Sequence, residues 1–455
     1  MAAMNLILIT IGLAALAIGA LWLLLGKSLN ARTIACISSG VAGVCAIMLA
    51  FVGGNESTTW LNVDGLVAIP FACIMALLFA SIVMMPEEDA TREQLADMLI
   101  IGLGIAIAYL AQNAFILLGG WVIACLPVFR WKSDGNTSMK WLRLTMAASC
   151  VALAVAVLLP MFMLTANVAM PAAALFVLAI VLRQGLFPLH GAYIRACEHG
   201  PSWPLATIAS GMLGAVLVVR VPMIFPPTVA DQAMQGLCVI ACLSALLVGV
   251  RAFAERKPRR VVALVLLSVS SSVIAGLSSG EPKGLTGGLL IWLMHMVAST
   301  GLVAVLRSLE ARTDLALDPR DNLGLGSKAP RLSFFFLLFC LALVGIPGTL
   351  GFVAEDLLFH GALHSYPIIG IALPLATALN AIHLLRTWHL LFNGRLPKDV
   401  AAVPDAMLRE RWPLLAFLAF LIILGVAPTL VMGWSTPAAE WLAQLLGVPT
   451  PFTTY

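Results

Sequence analysis

Ala179-Ile180-Val181-Leu182-Arg183-Gln184-Gly185-Leu186-Phe187-Pro188-Leu189-His190-Gly191 runs out of an apolar helix into a proline, and carries an arginine and a histidine as it does so. A cation and a helix-breaking proline inside a membrane span are both costly unless protein or water surrounds them. Together they mark a place where charge is handled within a bilayer. What the segment means depends on whether the rest of the chain is built for a membrane.

Composition answers that. Of 455 residues, 61% are hydrophobic and 11% charged, and the mean hydropathy is +1.02. A soluble protein of this size could not cover such a surface. Apolar runs of about 18–25 residues, each able to cross a hydrocarbon core of about 30 Å, recur fourteen times. They lie near 5–25, 33–52, 64–85, 96–111, 113–129, 143–163, 171–190, 204–222, 234–251, 260–278, 285–306, 333–352, 366–392 and 412–433, the fourth and fifth separated only by Gln112-Asn113. The fold class expected is an all-α polytopic membrane protein of about fourteen transmembrane helices. The longest polar segment, about 308–331, is too short to fold alone, so residues 1–455 read as a single membrane domain.

Basic residues test the count, because they accumulate in cytoplasmic loops. All 26 except Arg183, Arg220 and Lys283 fall in or beside loops after odd-numbered spans: Lys27 and Arg32, Arg92, Arg130 to Arg143, Arg195, Arg251 to Arg260, Arg307 to Arg331, and Arg386 to Arg411. Fourteen spans with both termini on the non-cytoplasmic side satisfy this alternation. The first span lacks a basic leader and a small-residue cleavage site, and reads as a retained span, not a signal peptide.

A net charge of +4 is explained by the loops, and no basic run interleaved with aromatics points to nucleic acid. The nine cysteines are scattered in the helices, Cys238 and Cys242 reading as small apolar filler. No nucleotide-binding glycine loop, Cys-x-x-Cys cluster or Ser-His-Asp arrangement is present, so no catalytic site of its own is expected, and an enzymatic role is left to an oxidoreductase or translocase complex of which the chain would be a part. No cofactor and no metal are expected in the chain. One internal echo matters more: the seventh span is interrupted at Pro188 and the twelfth at Pro347, each beside glycine and ionisable residues. Such paired interruptions signal inverted repeats around midplane sites, here about 96–222 and 234–392.

Several segments resemble one family, the antiporter-like membrane subunits of respiratory complex I, of membrane hydrogenases and of Mrp-type cation/proton antiporters. The resemblance rests on Val63-Asp64-Gly65-Leu66 opening span three, on Trp121 to Pro127 in the fifth and on Arg183 to His190 in the seventh. It extends to Arg259-Arg260-Val261-Val262-Ala263 before a serine-rich tenth helix, to His295 in the eleventh, and to Gly345 through Glu355 in the twelfth, which is similar to the subunit M branch. It implies proton translocation within a larger membrane assembly.

The departures are as informative. The family places a glutamate after the fifth-helix tryptophan, where this chain has Val122; the seventh-helix lysine position holds Arg183, and the eleventh-helix lysine position holds Ser299. Lysine can shift its pKa and exchange a proton, whereas arginine stays protonated. Arg183 is therefore expected to be a fixed intramembrane charge, with no identified counter-ion.

The groups left to carry protons are Glu355, His295, His190 and Asp356. The resemblance puts Glu355 at the family's twelfth-helix ionisable site. Bland readings stand beside these: Glu355 and Asp356 capping a helix at the outer interface, His190 satisfying backbone freed by Pro188, His383 and His389 snorkelling beside Arg386, Asp64 starting a helix and His199 solvated in a loop. Three functions fit: a proton-translocating subunit of a redox or antiport assembly, partnered by other membrane subunits and a cytoplasmic enzyme module in a bacterial inner membrane; an energising membrane partner of a soluble zinc-containing enzyme that accumulates inorganic carbon; and a non-pumping scaffold.

Overall fold

The computed structural model describes residues 2–26, 30–52, 61–131, 137–162, 168–313, 322–395 and 404–447. The helices are α1 (Ala2–Leu25), α2 (Ala31–Val52), α3 (Ala68–Met84), α4 (Arg92–Leu110), α5 (Ala114–Arg130), α6 (Thr137–Phe162), α7 (Ala169–Gln184), α8 (His190–His199), α9 (Ser202–Gly211) and α10 (Leu213–Ile224). They continue as α11 (Pro227–Arg251), α12 (Pro258–Leu277), α13 (Pro282–Glu310), α14 (Pro330–Leu343), α15 (Leu350–Ser365), α16 (Pro367–Gly370), α17 (Ala372–Phe392), α18 (Leu408–Val426) and α19 (Thr429–Leu445). Among the described residues, nine spans are long and apolar enough to cross a membrane, as is the bent pair α18 and α19 taken together, and α3, α5, α7 and α14 are shorter apolar helices. Each of the fourteen expected stretches falls on one of these.

Junctions follow local chemistry. At the narrow gap between the fourth and fifth spans, Asn113 caps α5 by accepting the N–H of Ile116 at 2.9 Å, and Gln112 Nε2 donates to Asn62 O at 3.2 Å. The eighth span, expected to be continuous, breaks at Met212, whose φ of 39° lies in the left-handed region. Thr429–Leu445, most of it beyond the last expected span, forms α19, which turns by 75° from α18 and packs on α13, with Trp434 Nε1 donating to Gly65 O.

The two anticipated interruptions are built alike, position for position. Gly185 (φ 65°) ends α7 and Gly345 (φ 70°) follows α14, each in a conformation that a residue with a Cβ adopts only with strain. The next N–H turns back five residues in both cases, Leu186 to Val181 O at 3.1 Å and Ile346 to Leu341 O at 3.2 Å. Leu189 N–H then donates to Leu186 O, and Thr349 N–H to Ile346 O, before α8 and α15 begin.

On the face reached by the odd-numbered spans, ion pairs join the loops: Arg307 with Asp89, Arg259 with Glu310, Arg312 with Glu410, and both Lys257 and Arg260 with Glu198. The core is centred on α12 and α13, which are almost wholly buried. α13 meets its neighbours through glycines: a Cβ on Gly287 would lie 2.4 Å from the Leu358 backbone nitrogen of α15, and one on Gly288 would lie 2.6 Å from Leu277 N of α12. Small residues let membrane helices approach this closely. Gly287→Val should therefore push α15 off α13 and destabilise the bundle by about 1–3 kcal/mol, as overpacking does. Thermal aggregation in mild detergent, compared with an exposed-face control such as Val122→Ala, measures this.

Candidate functional site

The second interruption positions Glu355. It lies in the second turn of α15 and is 7% exposed. Its carboxylate folds back on the break, so that a Cβ on Gly345 would sit 2.5 Å from Oε2, while Oε1 accepts a hydrogen bond from Thr377 Oγ1 of α17 at 3.2 Å. Among the described residues no cation lies within ion-pair distance of it. A buried carboxyl with a hydroxyl donor and no cation is a group able to hold or release a proton, not one half of a structural salt bridge.

From half-buried Thr377 a polar stripe follows α17 through the buried Asn380, His383 and Thr387, spaced to share one face. Asn380 Nδ2 donates to Ser268 Oγ of α12 at 3.0 Å, and His383 Nε2 donates to Gly249 O of α11 at 2.9 Å. Arg386, one turn further, donates to Glu255 O at 2.7 Å on the basic face. His383 thus does not snorkel: it is fully buried, edge-on to Phe253 at 4.5 Å. Its backbone partner on α11 holds it inside the bundle.

A second polar link crosses toward the first interruption. The Phe187 N–H, freed at the break, donates to Ser244 Oγ of α11 at 2.9 Å, and Ser271 Oγ of α12 donates to the same oxygen at 3.2 Å. Ser268 and Ser271 are one turn apart, so α12 carries hydroxyls from the first break to Asn380. His190, 4% exposed, accepts from Arg251 Nη1 at 2.9 Å through Nε2 and stacks on Phe187. Its Nδ1, Asn380 Oδ1, His383 Nδ1 and His295 Nδ1 are buried without a hydrogen-bond partner among the described residues, leaving hydrogen-bonding positions open along the interior.

The remaining sequence candidates are placed separately. His295 is buried near the middle of α13, with no hydrogen bond to Glu355. Asp356 points away from Glu355 with its side chain 64% exposed, beside His360. Asp64 does not cap α3 itself but the turn that leads into it, accepting the N–H groups of Leu66 and Val67, and it also pairs with Arg220, whose Nη2 donates to Tyr109 O at 3.2 Å. Ser299 bonds back to Met296 O within its own helix.

Arg183 and His190 are not brought together, because the break at Gly185 ends the helical phase between them. Arg183, 4% exposed, turns to α5: its guanidinium lies over the Trp121 ring at 5.1 Å, and Nη1 donates to Cys125 Sγ and reaches Trp121 O at 3.5 Å. Trp121 is in turn fixed by Nε1–H donation to Ser149 Oγ at 3.1 Å. Val122 is 37% exposed and faces outward, so the residue after the tryptophan is not the one that meets Arg183. Sequence reading missed Cys125, Thr377 and Asn380, and the serines of α11 and α12. The signal for α17 was present, as polar residues at 377, 380, 383 and 387 of one apolar span.

Fold and site together define a polytopic membrane protein with ionisable and polar side chains strung through its interior between two matched helix breaks. The chain belongs to the NADH:quinone oxidoreductase/Mrp antiporter transmembrane family, whose model matches residues 116–380. It is 31% identical over 280 residues to NADH-quinone oxidoreductase subunit 13 of Thermus thermophilus, covering 60% of this chain and 58% of that one. It is 24% identical over 274 residues to NADH-quinone oxidoreductase subunit M of Escherichia coli K12, covering 59% and 53%. The aligned part thus spans somewhat more than half the length of these curated relatives. The fold matches a chain of respiratory complex I from Thermus thermophilus with a TM-score of 0.86 at 23% identity, covering 97% of this chain and all of that one. It also matches a chain of the Mrp complex from Dietzia sp. DQ12-45-1b with a TM-score of 0.82 at 17% identity, covering 97% and 99%.

Proposed function

We propose that this chain conducts protons across the membrane through Glu355 and His295, with His190 as a relay from the first half, as one membrane subunit of a larger redox-driven or antiport assembly in a bacterial inner membrane. The observation that carries this reading is Glu355 itself: a buried carboxyl without a cation, seated on a helix break and bonded to the first member of the α17 stripe. From Thr377 to Thr387 that stripe covers about 15 Å at 1.5 Å per residue, half of a hydrocarbon core of about 30 Å. It supports Glu355 as the point where a path from the basic face meets a path to the other side. Residues 96–222 and 234–392 are taken as the two repeats, a division supported by the matching breaks. Asp356 serves as an outer-side acceptor in this reading.

The test is proton movement in proteoliposomes holding the chain with whatever co-purifies in mild detergent, followed with a pH-sensitive dye. Loss of flux in Glu355→Gln, or in His295→Ala, at unchanged abundance supports the route. Unaltered flux in both returns the pumping to a partner and leaves the chain a scaffold. The same reading places residues 1–4 and 434–455 on the non-cytoplasmic side, a proposal carried by the basic-loop alternation. Reporter fusions at each end are expected to be active only in the non-cytoplasmic format, and cytoplasmic activity at either end refutes the topology.

A further inference from the structure

We propose that Cys125 is a thiolate paired with Arg183, and that this pair is the proton-accepting site of the first half of the chain. The second clause rests on the proton-conducting reading given above, whereas the first stands apart from it.

The argument is one of charge balance. A guanidinium does not lose its proton in a protein, and a buried, uncompensated charge is severely penalised. Arg183 is 4% exposed, and no carboxylate of the described residues lies within ion-pair distance of it. Its neighbours are the Trp121 ring, the Trp121 carbonyl and Cys125 Sγ. Of these, only the sulfur can become an anion. Cys125 is 1% exposed and receives two donors, Arg183 Nη1 and the Cys150 thiol of α6 at an Sγ–Sγ distance of 3.6 Å. A sulfur that accepts from a cation and from a second thiol is arranged as an acceptor, the arrangement that favours thiolate over thiol.

The other ionisable neighbours leave this assignment intact. α4 offers Asp97, which is held at the C-terminal end of α5 by Arg130 and by Trp131 Nε1 at 2.8 Å, and α8 offers Tyr193, whose phenol is a weaker acid than a thiol. α6 offers Cys150, already the donor. The family's carboxylate–lysine couple is therefore replaced by a thiolate and a fixed guanidinium, with the titrating member moved to α5. The step it performs is simple: the Cys125 sulfur takes one proton through a lone pair and becomes a thiol, with nothing oxidised. The protonated state leaves the Arg183 guanidinium buried without a counter-charge, so the sulfur gives the proton up again and returns to the thiolate.

The S–H stretching band in the infrared, which lies clear of other protein absorption, reads the first clause directly. With nine cysteines in the chain, the folded protein at neutral pH should show one S–H fewer than the same protein unfolded in denaturing detergent. Cys125→Ala should leave the folded band unchanged, and Arg183→Met should add one S–H to it. A band that does not grow on unfolding, or that loses one S–H in folded Cys125→Ala, overturns the thiolate. For the second clause, Cys125→Asp should keep proton flux in proteoliposomes while Cys125→Ser loses it, because a serine hydroxyl does not ionise in this range. Full flux in Cys125→Ser overturns that clause. Glu355→Gln should leave the S–H band untouched, so failure of the Glu355 route and failure of the thiolate give different results.

Discussion

Glu355→Gln is expected to lower proton flux by about a hundredfold, the lower end of what removing a proton-transferring side chain does, while the protein accumulates and folds as before. Glutamine has the same length and can still accept from Thr377 Oγ1 through its amide oxygen, so the contact at 3.2 Å survives. What it cannot do is change charge. The carboxyl has no cation partner among the described residues, so its removal leaves no buried charge unpaired, which is why stability should hold. Glu355→Asp should retain part of the flux: the acid is kept, but the side chain is shorter by one carbon–carbon bond of about 1.5 Å, which draws it away from Thr377. Dye-reported flux in proteoliposomes, with abundance measured in the same membranes, separates these outcomes. Equal flux in wild type and Glu355→Gln would remove Glu355 from the route.

Arg183→Ala should do the reverse, reducing abundance first and flux as a consequence. The guanidinium stacks on Trp121, bonds to Cys125 and fills the space between α5 and α7. Its deletion opens a cavity and leaves the α5 groups without their cation, a loss of about 3–5 kcal/mol if broken buried pairs elsewhere are a guide. Membrane proteins with marginal stability lose most of their folded population to such a change. Arg183→Lys should rescue partly, because an ammonium restores the charge but neither the planar stack nor the forked donors. Quantitative immunoblotting of membranes with thermal stability in detergent is the measurement. Normal abundance and flux in Arg183→Ala would end the fixed-charge role.

Much of the architecture was legible because a bilayer imposes a coarse grammar. Span length, loop charge and helix breakers are one-dimensional properties, and the breaks at Gly185-Pro188 and Gly345-Pro347 lie where the sequence puts them. The break at Met212 was not legible: methionine carries no turn signal, yet its backbone is left-handed between an α9 packed on α4 and α13 and an α10 packed on α7 and α12. α19 escaped as well, although Pro428 stands at the 75° bend that separates it from α18.

The site divides along the same line. Residue chemistry alone singled out Glu355, His295, His190 and Arg183, because titratable or charged groups within apolar spans are few and expensive. Which of them meet was decided in three dimensions. Arg183 and His190 share a helix face by counting, yet Gly185 ends the helix between them, so one reaches α5 and the other α11. His383 reads as an interfacial residue by its distance from Arg386, but the Gly249 carbonyl of a neighbouring helix keeps it buried. Helical periodicity and hydropathy specify each span for itself. The rotation of one helix against another is fixed by side-chain packing summed over both, and that is why the partners of Cys125, Thr377 and Asn380 emerge only from the folded chain.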